Sequence, residues 1–212
     1  MRTIRALALL LAVPSLARAG PPVNIGLDGH APGLRFDGIG AASGGGATSR
    51  LLTDYAEPER AAILDYLFKP GFAASLQQLK LEIGSDGNST EGAEPTHMRT
   101  ASAIDCGRGY EGWLMREARR RNPAIVLDGL AWNWPAWVGK PGSAASAYYL
   151  VAFARCAAGQ GTPLDYLGLW NETKLDPAFA VLLRAWLDAA GFARCGSSRT
   201  TAGSTIGGSL AT

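Results

Sequence analysis

A mostly apolar run, Leu164 to Trp170, ends on an amide, a carboxylate and a hydroxyl: Asn171, Glu172 and Thr173. A carboxyl group beside an indole can release and recover a proton, and a neighbouring amide can hold a polar ligand. Two readings are open at this point. Either a buried strand delivers polar groups to a working surface, or the strand stops and Glu172 enters the helix that Pro177 announces.

Other residues with chemical potential are weaker candidates. Glu82 and Asp86 can supply a second carboxylate. His30 and His97 are single and lack a Ser or Cys with an obvious third partner, so a catalytic triad is not expected. The glycine cluster SGGGATSR, residues 43–50, lacks the Gly-Lys-Ser/Thr ending of a phosphate loop; its glycines let backbone approach a ligand or make a turn. Cys106, Cys156 and Cys195 are widely spaced with no C-x-x-C pair. Metal ligation and a cofactor are therefore not expected, at most one disulfide is possible, and isolated buried or free thiols are the reading taken. Asn88 and Asn171 begin formal glycosylation sequons, which are not expected to be used.

The elements that must carry these residues follow from periodicity. Strands are expected over 34–42, 76–84, 124–132 and 164–170, each followed by a helical pattern. In EPERAAILDYLFKP, Pro58 sits early and Pro70-Gly71 closes the helix; in PAFAVLLRAWLDAAGF, Pro177 opens and Gly191 ends it. The basic run Arg119 to Arg121 complements a helix C-terminus and reads as a solvated face rather than a binding patch. Four successive β-then-α units imply parallel strands, either doubly wound or in a barrel. The polar and aromatic loops SGGGATSR, GSDGNSTEGAEPTHM, WNWPAW and NETK all follow strand C-termini, the edge where such folds bind ligands.

Residues 1–19 pair two early arginines with a short apolar stretch and Ala17-Arg18-Ala19, which reads as a cleaved secretory signal of bacterial type. The expected destination is the cell exterior or periplasm. No later run suggests stable membrane insertion. The net charge of +2, with acids and bases interspersed, gives no reason to expect nucleic acid, and the six tryptophans suit sugar rings as well as cores.

FDGIGAASGGGATSRLL, ILDYLFKP, EIGSDGNSTEGAEPTHM, GYEGWLMREARRRNP and YLGLWNE resemble, in the same order, the N-terminal half of the catalytic barrel of the galactocerebrosidase family, glycoside hydrolase family 59. The resemblance covers about residues 33 to 192. It implies an α/β fold of about four β/α units, a truncated half of a (β/α)8 barrel. It also implies a retaining glycosidase acting on a β-galactoside or galactolipid such as galactosylceramide. Glu172 would be the general acid/base, Asn171 would bond the sugar 2-hydroxyl, and Thr90 and Trp132 match galactose-contacting positions. Trp170 could give Glu172 the partly apolar setting that such an acid needs.

The nucleophile of that family lies on a seventh strand, which this sequence does not contain. Residues 20–192 are thus expected to form the partial catalytic domain. The tail 193–212, rich in Gly, Ser and Thr, is expected to be disordered or aberrant, the mark of a fragment or a shifted reading frame. Two functions of different class follow: a galactosylceramidase-type enzyme of which half is present, or an inactive remnant or weak galactoside-binding module. Strands one and four would leave open sheet edges, a route to self-association.

Overall fold

A computed structural model describes residues 22–26, 28–30, 33, 36–45, 51–88 and 92–198. The expected signal segment and Thr90 lie outside the described residues. The chain divides into Met1–Phe36 and Asp37–Thr212, and the second unit carries the sheet.

That sheet has five parallel strands: β1 (Gly40–Ser43), β2 (Gln78–Ile83), β5 (Val126–Ala131), β6 (Tyr166–Gly168) and β7 (Gly196–Ser198). They stand side by side in chain order, with no reversal. A doubly wound sheet reverses direction at a switch point, whereas a barrel winds one way, so the order favours the barrel alternative. Between them run α1 (Leu51–Asp54), α2 (Glu59–Phe68), α3 (Glu111–Arg121), a 3-10 turn (Ala136–Val138), α4 (Ala144–Gly159) and α5 (Pro177–Ala189). A two-stranded hairpin, β3 (Met98–Thr100) with β4 (Ala103–Ile104), lies between β2 and α3.

Alternation along β2 assigns the two faces of the sheet. Leu79, Leu81 and Ile83 are buried with Leu127 of β5 and with Leu64 and Phe68 of α2, Leu114 and Met115 of α3, and Leu150 of α4 in one apolar core. On the other face, Lys80 stands in register with Asp128 and pairs with it at 2.9 Å. Farther along that face, Glu82 is in register with Leu130, close to the C-terminal edge. The helices form where the sequence starts and stops them. Asp176 caps α5 by accepting the Phe179 N–H at 3.0 Å, with Pro177 at the first position, and Gly191 follows the helix at φ +86°.

Four expectations need correction. The first strand begins at Gly40, because Asp37–Ile39 are not paired in the sheet and Ile39 instead donates its N–H to the Gln77 side chain at 2.7 Å. The tail is not irregular from its start: Gly196–Ser198 pair in parallel with Tyr166–Gly168, since backbone hydrogen bonds form a strand without large apolar side chains. Among the described residues, the edge strands are therefore β1 and β7. The basic run on α3 is not simply solvated: the Arg121 side chain, 5% exposed, bonds Asp65 of α2 and Glu117 at 2.6 Å each. Finally, the reading of isolated thiols fails for two of the three cysteines. Cys106 and Cys156 form a disulfide that ties the segment after β4 to α4, with Cα atoms 5.1 Å apart, while Cys195 is free and buried.

Candidate active site

The β5–β6 pairing extends beyond Gly168. The Asn171 N–H donates to the Ala131 carbonyl at 2.8 Å, which anchors the chain one residue before Glu172. Glu172 is exposed and takes a left-handed backbone conformation, φ +51°. A non-glycine residue there carries strain, and such strain concentrates at functional sites. The Thr173 hydroxyl donates to the Trp170 carbonyl at 3.4 Å and closes the turn. Trp170 is half-buried; its indole N–H donates to the Trp132 carbonyl at 3.2 Å, and its ring meets Trp134 edge-on with centroids 6.0 Å apart. The Trp170 ring is therefore engaged with the tryptophans that follow β5.

Trp132 brings a second wall to the same edge. A Cβ built at Gly44 would lie 3.1 Å from Glu82 Cβ and 3.4 Å from Trp132 Cζ2, so the ends of β1, β2 and β5 converge there. Only glycine lets them approach this closely without a shift. Glu82, 1% exposed, accepts the Gly45 N–H at 2.7 Å and fixes the start of the glycine cluster. Asp86 serves the loop rather than a ligand, bonding Arg108 at 2.7 Å and the Thr96 N–H at 3.0 Å. Burial works to raise its carboxyl, but these bonds and the Arg108 and Arg99 charges prevail and hold it below the usual range.

Behind this edge is a group of buried acids whose meeting the sequence does not signal. Glu111, 3% exposed at the start of α3, accepts the Ser43 hydroxyl at 2.8 Å. Burial, then the Glu94 charge and more weakly that of Glu82, raise its carboxyl well above the ordinary range against the opposing Ser43 bond. Glu94 accepts the Tyr110 N–H at 3.3 Å. With His97 and Arg108, Glu82, Glu94 and Glu111 line a cavity of about 20 Å³, room for roughly one water. His97 Nε2 donates to the Tyr149 carbonyl at 3.1 Å, and burial depresses the ring to about 4, against the weaker pull of that bond. It is a neutral packing group whose ring lies tilted by 31° against Tyr149, 4.4 Å between centroids. Tyr149 in turn bonds Thr96 at 2.8 Å and the Gly84 carbonyl, tying the end of β2 to the segment before β3.

The structure thus brings Trp132, Asn171 and Glu172 to one strand edge, with Glu82 and Gly44 beside Trp132. Sequence reasoning missed Glu94, Glu111 and Tyr149, whose burial depends on contacts far apart in the chain. Beside the Glu172 turn, the residues after β5 and β6 enclose a larger pocket of about 450 Å³, lined by Trp134, Trp170, Leu175 and Phe179 among others. Among the described residues, no group of three or more His, Cys, Asp or Glu is placed to hold a metal, and no helix is long and apolar enough to cross a membrane.

Comparison with known proteins adds lineage to this geometry. Residues 36–200 match the model of glycosyl hydrolase family 59. The chain is 50% identical to the galactocerebrosidase of Mus musculus over 174 residues, covering 79% of this chain and 25% of that protein. It is 48% identical to that of Homo sapiens over 197 residues, 90% of this chain and 28% of that one. A putative galactocerebrosidase of Caenorhabditis elegans is 34% identical over 192 residues, 87% and 29% of the two chains. The chain therefore spans about a quarter of the length of these relatives. Among solved structures, the endo-β1,6-glucanase BT3312 superposes with a TM-score of 0.62 at 18% identity, covering 77% of this chain and 43% of that one. SrfJ from Salmonella typhimurium gives 0.61 at 19%, covering 78% and 44%. These two likenesses concern the fold alone.

Proposed function

The chain belongs to glycosyl hydrolase family 59, and from that premise we propose that it supplies the acid/base half of a retaining β-galactosidase site. Glu172 protonates the leaving oxygen and later takes a proton from water, Asn171 bonds the 2-hydroxyl of the sugar, and Trp132 gives the ring a flat apolar wall, with Thr90 as a further contact. The single observation that carries this reading is the exposed Glu172, held in a left-handed turn directly after the strand that Asn171 pairs to Ala131. The relatives' name, galactocerebrosidase, makes a galactolipid the substrate to test first.

Retention of configuration needs a nucleophile ~5 Å from the acid. Glu82 is a poor candidate, because it is buried and bonded to Gly45. The family resemblance assigns the nucleophile to a later barrel strand than the one before Glu172, so we propose that the 212-residue chain alone turns over little or no galactoside. Released chromophore from a chromogenic β-galactoside tests this. Absence of turnover is the expected result; robust turnover abolished by Glu172→Gln would keep Glu172 as the acid and refute the missing nucleophile.

A galactoside-binding module is the second reading, favoured by Trp132, which needs no nucleophile to hold a sugar. Export to the periplasm or cell exterior is proposed as well, and the Cys106–Cys156 bond supports it, since such bonds persist in oxidising compartments. Self-association is proposed through β1 and β7, each with a sheet neighbour on one side.

A further inference from the structure

We infer that Glu111 is a positioning residue: acting through Ser43 and Glu82, its carboxyl sets how closely Gly44 approaches Trp132, and so shapes the sugar wall without touching the ligand. This rests on the proposed role of Trp132. Ser43 ends β1 in register with Leu81, on the face of the sheet that packs against the helices. Glu111, at the start of α3, accepts its hydroxyl there at 2.8 Å. Gly44, the next residue, faces the other way, where a Cβ would meet Glu82 and Trp132. Gly45 then donates its N–H to Glu82 at 2.7 Å. The chain leaving β1 is thus held by a buried carboxyl on either side of Gly44, Glu111 being 3% and Glu82 1% exposed.

The two carboxyls are not independent, because both line the cavity of about 20 Å³. The other titratable groups that face Glu111 are Glu94 and His97 from the segment before β3, and Arg108 and Tyr110 just before α3; α4 contributes uncharged residues. The Arg108 guanidinium is already engaged by Asp86 at 2.7 Å, and His97 is neutral above about 4. Glu111 Oε2 is buried with no hydrogen-bond partner among the described residues, so a charge on this carboxyl would have little besides the Ser43 hydroxyl to stabilise it. Ionisation would set that charge against Glu82 and Glu94 in a space with room for about one water. Lengthening either bond that flanks Gly44 relieves the repulsion, and either change moves Gly44 relative to Trp132. The neutral acid, which burial and the Glu94 charge favour, keeps both bonds.

The Gly45 amide and Trp132 indole N–H report on this strand end by nitrogen-15 NMR of the intact chain, followed between pH 5 and 9. In the free parent protein both signals are expected to move through one midpoint, and affinity for methyl β-galactoside to fall through the same midpoint as pH rises. Glu111→Gln keeps an acceptor for Ser43 but cannot ionise, so it should remove that step and hold the low-pH affinity throughout. Glu111→Leu, which cannot bond Ser43, should weaken binding about fivefold from the low-pH value, the worth of one hydrogen bond. A purely structural role predicts instead a lower urea midpoint for Glu111→Leu with signals and affinity that ignore pH. Signals that do not move with pH, a step that survives Glu111→Gln, or full low-pH affinity in Glu111→Leu overturns the inference. If the step is present in the parent and absent in Glu111→Gln, yet methyl galactoside binds at no pH, the positioning by Glu111 stands and the galactoside reading fails.

Discussion

The Gly45 N–H donates to the Glu82 carboxylate at 2.7 Å, while the Trp132 ring edge comes within 3.4 Å of where a Cβ on Gly44 would sit. One hydrogen bond and one missing side chain thus bring the ends of three strands together. Gly44→Ala is expected to push Trp132 or Glu82 aside by a few tenths of an ångström. Galactoside affinity should fall several-fold while the urea midpoint moves little; the reverse pattern would make Gly44 a folding residue and not part of the sugar wall.

Glu172 takes its left-handed turn with its side chain exposed. Replacement by glycine removes the backbone strain, about 1 kcal/mol, and is offset by the entropy glycine loses on folding. Glu172→Gly should therefore leave stability within about 1 kcal/mol of the parent. A loss above that, measured by urea denaturation, would mean that the side chain makes a structural contact worth keeping.

The disulfide closes a segment with a sequence separation of 50. Constraint of the unfolded chain on that scale is worth about 2–4 kcal/mol. Cys156→Ser, or reduction by dithiothreitol, should lower unfolding free energy by that amount. In the oxidised native protein, Cys195 should resist thiol reagents until the protein unfolds, because burial also pushes its thiol up to about 11.

Two buried groups set opposite arms of the pH profile. His97 is depressed from 6.5 to about 4 by burial, so the unfolded chain takes up its proton first and stability is lost as pH falls from 6.5 towards 4. The loss is on the order of 3 kcal/mol at most. Glu111 is raised above 4.5 by burial and the Glu94 charge, so its contribution is complete below 4.5 and is lost as pH rises through its folded value. Glu111→Gln should flatten the alkaline arm and His97→Gln the acid arm, read from urea midpoints between pH 4 and 8. An unchanged profile in both variants would contradict the assignment.

The parts of this fold that were legible in sequence are those governed by local rules. β2 shows its alternation, and α5 shows its Asp-Pro start and glycine end. Asn171 and Glu172 stand out because nothing in packing requires an amide and an acid after Trp170. The hairpin of β3 and β4 is too short to show a period, and β7 has no apolar side chain to announce it. Cys106 and Cys156 meet only because α4 carries one back to the segment that holds the other. Glu111 looks like an ordinary acid in a first helical turn; only the tertiary approach of Ser43 and Glu94 buries it.

Trp132, Asn171 and Glu172 are proposed to form one face of a galactoside site. Isothermal titration of the intact chain with methyl β-galactoside tests it most directly, with Trp132→Ala and Asn171→Ala as comparisons and circular dichroism to verify folding. Saturable binding that weakens at least tenfold in each variant is the expected result. No saturable binding, or binding that both variants retain at full strength, would contradict it.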